Sequence, residues 1–307
     1  MNQNVPQDHH IVPKFILKNW SDDGSIVHTW KGTYERKREF PISGIFYRKY
    51  QYGKTPKIET ELFANDIEDK MKHFIDEIRR KKTIINDERP LKFLLSSFLR
   101  TSFIVEMCKE NIEKMVTYAC KDAPNIEQAK KETLKQLNLL DDDGEIIGYD
   151  ITFYDALWPE ISKFRKTTLL KTKKEFVIGE NPVVFICPYG NRVNDPLSMI
   201  VYPISPKELL VFYRPEEGVV DSNRFISDDE THIFNSYQFQ QTNEIIVFHD
   251  ELQVDFKKFE NQFGVIAESQ KILKIPIGSV FISLPFIQMF HFYYDEGLKK
   301  IINPKNK

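Results

Sequence analysis

The chain has 307 residues, 41% hydrophobic and 29% charged, a globular composition that buries a sizeable core without disulfides or structural metal. Its 43 basic residues against 45 acidic ones leave a net charge of -2. That excludes a general electrostatic affinity for nucleic acid but leaves room for a local basic groove. Cys108, Cys120 and Cys187 form no CxxC pair, so a disulfide scaffold is not expected and a reducing, cytoplasmic compartment is. Residues 1–7 are polar and lack the apolar core of a secretory signal. No run reaches the about 18 apolar residues of a membrane span, so no membrane is expected among the partners. Residues 277–292 come closest, but Gly278, Ser283, Pro285 and His291 interrupt them, and they read as buried strand and helix.

The first element is Asp8-His9-His10-Ile11-Val12-Pro13-Lys14. Neighbouring side chains of an extended segment point to opposite faces, so only one of His9 and His10 can enter a given site, unless one simply packs on a backbone carbonyl while the other is solvated. An imidazole there suits Zn, Mn or Fe, or proton transfer near neutral pH. Phe15-Ile16-Leu17 continues as an apolar run, and Asp22-Asp23-Gly24 marks a turn. Residues 25–30 alternate as a strand does, and residues 39–45 are its expected partner.

The period then becomes helical. Ile67, Met71, Phe74, Ile75 and Ile78 make one stripe, with Asn65-Asp66-Ile67-Glu68 shaped as a capping box. Glu61 and Glu68, seven apart, share a helix face and suit either a metal or solvent; His73 lies well around the helix. A second helix starts at Glu88-Arg89-Pro90 and is expected to run to about Lys121. Arg100 falls in its apolar stretch beside Phe98, Leu99 and Phe103, where it needs a carboxylate or a phosphate partner. Glu68 across the helix hairpin and an anionic substrate are the two candidates. Residues 125–139 and 150–166 read as further helices, the last one interrupted by Pro159.

Beyond residue 167 short apolar runs dominate, at 176–178, 183–186, 199–202, 209–212 and 245–248, with helices expected at 230–241 and 256–263. Lys171 to Lys174 form a basic stretch, either a solvated edge or a place for phosphate. Glu180-Asn181-Pro182 breaks two apolar runs, and Pro182 favours an extended Asn181. Such a break either projects Glu180 and Asn181 into a cleft or closes as a local turn. The order predicts an α+β fold in one compact unit spanning 1–307. It has a small N-terminal β element (1–57), a central helical layer (58–166) and a C-terminal, mainly antiparallel β-sheet (167–307).

Several segments together resemble the family called domain of unknown function 4238. They are residues 9–20, Asp22-Asp23-Gly24 with the strand after it, Ile45-Phe46-Tyr47, Ser97-Phe98-Leu99-Arg100-Thr101, Phe176 to Val183, Pro203-Ile204-Ser205-Pro206, and residues 234–243. The likeness covers residues 9–250 and implies a bacterial protein, but no activity. Residues 8–14 also resemble the first half of an HNH nuclease motif, in which His10 would activate the water. Asn19 and His28 would be its later residues, but the Gly-Gly element and the metal-binding helix are missing.

Polar candidates set in apolar segments point to a metal-assisted hydrolase, acting on phosphodiesters of nucleic acid or of a phosphate-bearing small molecule. In this reading His9 or His10, Glu68 and Glu180 hold a divalent metal (Mg, Mn or Zn). His10 doubles as base, Arg100 stabilises negative charge and Asn181 orients substrate. The alternative is a non-enzymatic binding or sensor module for an anion, anchored by Arg100, in bacterial defence.

Overall fold

A computed structural model describes residues 8–31, 37–49, 66–137, 139–140, 144, 146, 151–186, 198–215, 218–220, 222, 225–242, 244–262, 273–277, 280–284 and 302–304. Strand β1 (Asp8–His10) is followed by a single helical turn, α1 (Lys14–Leu17). Pro13, extended at ψ 139°, opens that turn and accepts the amides of Ile16 and Leu17. The apolar run is therefore helical, and it sinks Ile16, Leu17 and Trp20 into the core. Next come β2 (Ile26–Trp30) and β3 (Arg38–Pro41), paired antiparallel as expected, and β4 (Tyr47–Lys49), which returns to pair with β1.

The helical layer starts with α2 (Asp69–Lys81), which buries the stripe Met71, Phe74, Ile75 and Ile78. Its end is a left-handed Lys82 (φ 63°), after which β5 (Thr83–Ile85) leaves. The long second helix is two helices, α3 (Arg89–Leu99) and α4 (Ser102–Ala119). The chain breaks between them because Thr101 is extended (ψ 141°) and Arg100 turns inward. α5 (Ile126–Gln136) is capped by Asn125, whose side chain accepts the Gln128 amide. α6 (Ile151–Ile161) carries Pro159 in its last turn and is neither split nor lengthened by it.

Strands follow: β6 (Lys166–Thr172), β7 (Ile178–Gly179), β8 (Val184–Ile186), β9 (Met199–Ser205), β10 (Glu208–Tyr213) and β11 (Gly218–Val220). β12 (Phe225–Ile226) then leads into α7 (Asp228–Gln240), which opens with a complete Ser227/Glu230 capping box. After β13 (Ile246–Phe248) the helix expected at 256–263 is two 3-10 turns. β14 (Leu273–Ile277) and β15 (Val280–Leu284) form a hairpin, and β16 (Ile302–Pro304) pairs with β11. Of residues 277–292, expected as buried strand and helix, β15 gives the strand, and 285–292 lie outside the described residues.

The fold is α+β. The main sheet runs β12-β6-β10-β9-β8, with β5 also on β6, and only the β12–β6 pair in it is parallel. Its faces alternate residue by residue. Leu169, Ile200, Tyr202, Leu210 and Phe212 pack with the residues of α2, α3 and α4. Leu170, Val201, Leu209 and Val211 pack with Phe234 and Tyr237 of α7. A second sheet, β3-β2-β13-β7, joins the N-terminal hairpin to distant strands. Among the described residues no helix is long and apolar enough to cross a membrane.

α7 holds residues 175–183 through a ladder of side-chain amides. Asn235 accepts from the Val177 amide (3.0 Å) and donates to the Glu175 carbonyl (2.7 Å). Gln238 accepts from Gly179 (3.1 Å) and donates to Pro182 (3.0 Å), and Gln241 donates to the Asn181 and Val183 carbonyls. The spacing of three residues keeps all three amides on one side of the helix. Gly179 makes the close approach possible, since a Cβ there would lie 1.7 Å from Thr242 Oγ1. Gly179→Ala is expected to lower stability by about 1–3 kcal/mol in urea unfolding, and Thr242→Ala in the same chain to recover part of that loss.

Candidate functional site

The β1–β4 ribbon is the frame of the candidate site. His9 lies opposite Arg48 and His10 opposite Tyr47. The Ile11 amide donates to the Phe46 carbonyl (2.7 Å), so the alternating carbonyl of His10 points off the ribbon edge. Phe46 holds a left-handed backbone (φ 49°), a strained conformation for an aromatic residue. Both histidines are buried, so the alternative with one solvated imidazole does not hold. The ribbon is covered on both faces, which sequence alternation cannot reveal.

Arg100 reaches the exposed edge of that ribbon. Its Nη1 donates to the His10 carbonyl (3.2 Å) and to Glu68 Oε1 (2.7 Å). The guanidinium is 0% exposed and the Glu68 side chain 17%, so the carboxylate is the partner nearer solvent. Glu68 closes a short π-turn just before α2. The expected pairing across the helix hairpin is therefore present. Ser97 on α3 and Tyr202 on β9, both wholly buried, complete the surroundings. Burial pushes the Tyr202 phenol far above its ordinary value, while the adjoining Ser97 hydroxyl and the Arg100 charge oppose that shift and Glu68 adds to it. Phe93 packs edge-on against the Tyr202 ring at 5.3 Å.

Glu180 is linked to the ribbon through Glu244 and Arg48. Glu180 Oε1 accepts the Glu244 amide (3.2 Å), and the Glu244 carboxylate is ion-paired with Arg48. Arg48 shares its ribbon face with His9, so His9 faces the Glu180 side. Asn181 does not project into an open cleft: its Nδ2 donates to the Gln241 carbonyl (2.7 Å). Two groups result: Arg100 with Glu68 and the His10 carbonyl at the ribbon edge, and the chain Arg48–Glu244–Glu180, whose arginine lies opposite His9 in the register.

As a metal centre the donors are poorly placed. Glu68 is held by a guanidinium and Glu180 by an amide. Among the described residues no three His, Cys, Asp or Glu side chains are grouped as a metal ion requires. Glu61 lies outside the described residues, and His73 is exposed on α2. The HNH likeness does not extend into the structure. Asn19 donates to the Ile204 carbonyl (2.7 Å), and His28 lies on β2, 3.8 Å from Glu39. Arg48, Glu244, Tyr202 and the amides of α7 were not anticipated. The signal available for α7 was the three-residue spacing of Asn235, Gln238 and Gln241.

Two surface clefts lie elsewhere. One, of about 520 Å³, is lined by Asp22, His28, Lys37, Glu39, Phe248 and His249 among others. The other, of about 480 Å³, lies between the start of α7 and the turns near Phe259. In the first, His249 sits between Asp22 (2.9 Å from Nε2) and buried Glu175 (3.3 Å from Nδ1). Lys207 is 3.4 Å from the same Glu175 oxygen, and the Asp250 amide donates to the other (2.8 Å).

The family described as "Protein of unknown function (DUF4238)" matches residues 8–251, and the chain belongs to it. No curated protein and no solved structure matches.

Burial alone would lower the His249 pKa, but the bonds and charges of Asp22 and Glu175 outweigh it and hold the imidazole above the ordinary value of 6.5. Its stabilising contribution is thus complete below the unfolded-state value and is lost as pH rises through the raised one. Urea midpoints measured from about pH 6 to about pH 9 should fall in the native chain, and His249→Gln should flatten that fall.

Proposed function

We propose that the protein is a binding or sensor module for a small anion, phosphate-bearing or carboxylate, with Arg100 as the anchor. One observation carries this reading: a wholly buried guanidinium has its carboxylate partner, Glu68, on the solvent side. An incoming anion that replaces Glu68 keeps the buried charge neutralised and supplies the planar acceptor geometry that arginine favours. Glu68 then acts as the resident stand-in for the ligand. Its position at the start of α2 links occupancy of the site to the first turn of that helix.

Hydrolysis of a phosphodiester is the second reading. It is favoured by the burial of both imidazoles on the strand whose His10 carbonyl meets Arg100, since a buried imidazole suits proton transfer. A divalent metal would there have to draw Glu68 away from Arg100. We place the protein in a reducing compartment, the bacterial cytoplasm, on the strength of Cys108 and Cys120, which are buried thiols.

Calorimetric titration of the intact chain with pyrophosphate tests the first reading. Glu68→Gln should bind about tenfold more tightly than the native chain, because the competing carboxylate charge is gone, and Arg100→Lys should lose binding. Equal affinity in all three proteins removes Arg100 as anchor. Turnover of bis(p-nitrophenyl) phosphate with Mg, Mn or Zn, falling about a hundredfold in His10→Ala, would favour the hydrolase instead.

A further inference from the structure

We propose that the rim of the main sheet where α2 ends is a surface for single-stranded nucleic acid. Phe225 is its stacking platform, and the surrounding lysines and arginines follow the phosphates. None of these residues belongs to the Arg100 centre.

The register places the aromatic ring among the cations. Lys171 is the register partner of Phe225 on β12 and of Glu208 on β10, so the three side chains form a row on one face of the sheet. Phe225 is 54% exposed, the one aromatic ring among the exposed large apolar side chains of the described residues. The end of α2 is anchored beside that row. Arg79 donates to Glu208 through Nε (2.9 Å) and Nη2 (2.8 Å), and the Lys82 carbonyl accepts the Leu169 amide (2.9 Å). The turn between β9 and β10 joins the same rim, because Lys207 Nζ donates to the carbonyls of Lys173 (3.1 Å) and Lys174 (3.0 Å).

Arg79 and Lys171 stand in the row with Glu208, and the segments joined to it also carry Arg80, Lys82, Lys173 and Lys207. The carboxylates facing them are fewer. Glu208 is buried and shared between Arg79 and Lys171, Glu175 is buried behind Lys207, and Asp76 stands 4.0 Å from Arg79. Asp228 and Asp229, exposed at the start of α7, line the neighbouring cleft with Lys174. The overall charge is -2, so this concentration of positive charge is local. Cations alone would suit any polyanion. An exposed ring in the same row selects a strand whose bases are free to stack, because a duplex keeps its base faces covered.

Fluorescence anisotropy of the full chain with fluorescein-labelled oligo(dT) of about 20 nucleotides is the test. The native chain should bind, with affinity falling as salt rises at a log–log slope of about -2 to -4, as expected for three to six phosphate contacts. Phe225→Ala should weaken binding about tenfold, and Phe225→Trp should retain it. Arg80→Glu with Lys173→Glu, both at exposed positions, should weaken binding further and flatten the salt dependence, with the melting curve unchanged. The proposal falls if the native chain does not bind the oligonucleotide, or if Phe225→Ala binds it equally well. It falls equally if a duplex of the same length binds as tightly, or if phosphatidylserine vesicles are bound and the oligonucleotide is not.

Discussion

Arg100 carries its guanidinium to 0% exposure and there joins two segments, one 90 residues away in sequence and the other 32. A buried charge left without partners is costly by several kcal/mol. Arg100 can therefore be buried only when the His10 strand and the start of α2 have both arrived. This one requirement shapes its surroundings. It ends α3, forces an extended Thr101 before α4, and fixes the ribbon edge against the helix hairpin. Removing either partner alone breaks the pair and is strongly destabilising, whereas replacing both by well-packed apolar side chains is often neutral.

The main sheet supplies the platform on which that junction rests. Its two faces feed separate clusters, one with the helices around Arg100 and one with α7. α7 acts on the site from a distance. Its amides pair with the backbone of 175–183 much as a neighbouring strand would, and Gly179 lets Thr242 close over that segment. Glu180 is placed as a result, and the link Glu244–Arg48 carries its position to the ribbon face that holds His9.

Much of the local architecture was legible because its signals are local. The stripes of α2 and α3 and the helices near 125–139 and 230–241 are all read within a few residues of themselves. The pairing of Arg100 with Glu68 was also open to reasoning, since an arginine in an apolar helix needs an anion. β6 was missed because a strand buried on both faces shows no alternation, and its residues read as a mixture of threonine, leucine and lysine. The break at Arg100 was missed because the apolar periodicity continues across it.

The amino-acid sequence by itself determined the element types, the α+β class, the membership of a family and the short list of polar residues worth following. Propensity, capping and periodicity act over a turn or a strand and need no partner. The tertiary structure decided that both His9 and His10 are buried, that Arg100 meets a carbonyl as well as a carboxylate, and that Glu180 belongs with Arg48 and Glu244. It also decided that Phe225 stands in a row with Lys171. Each of these depends on which strands pair, in what register, and on which face each is covered. Such choices are made by contacts between segments far apart in the chain, which no local pattern records.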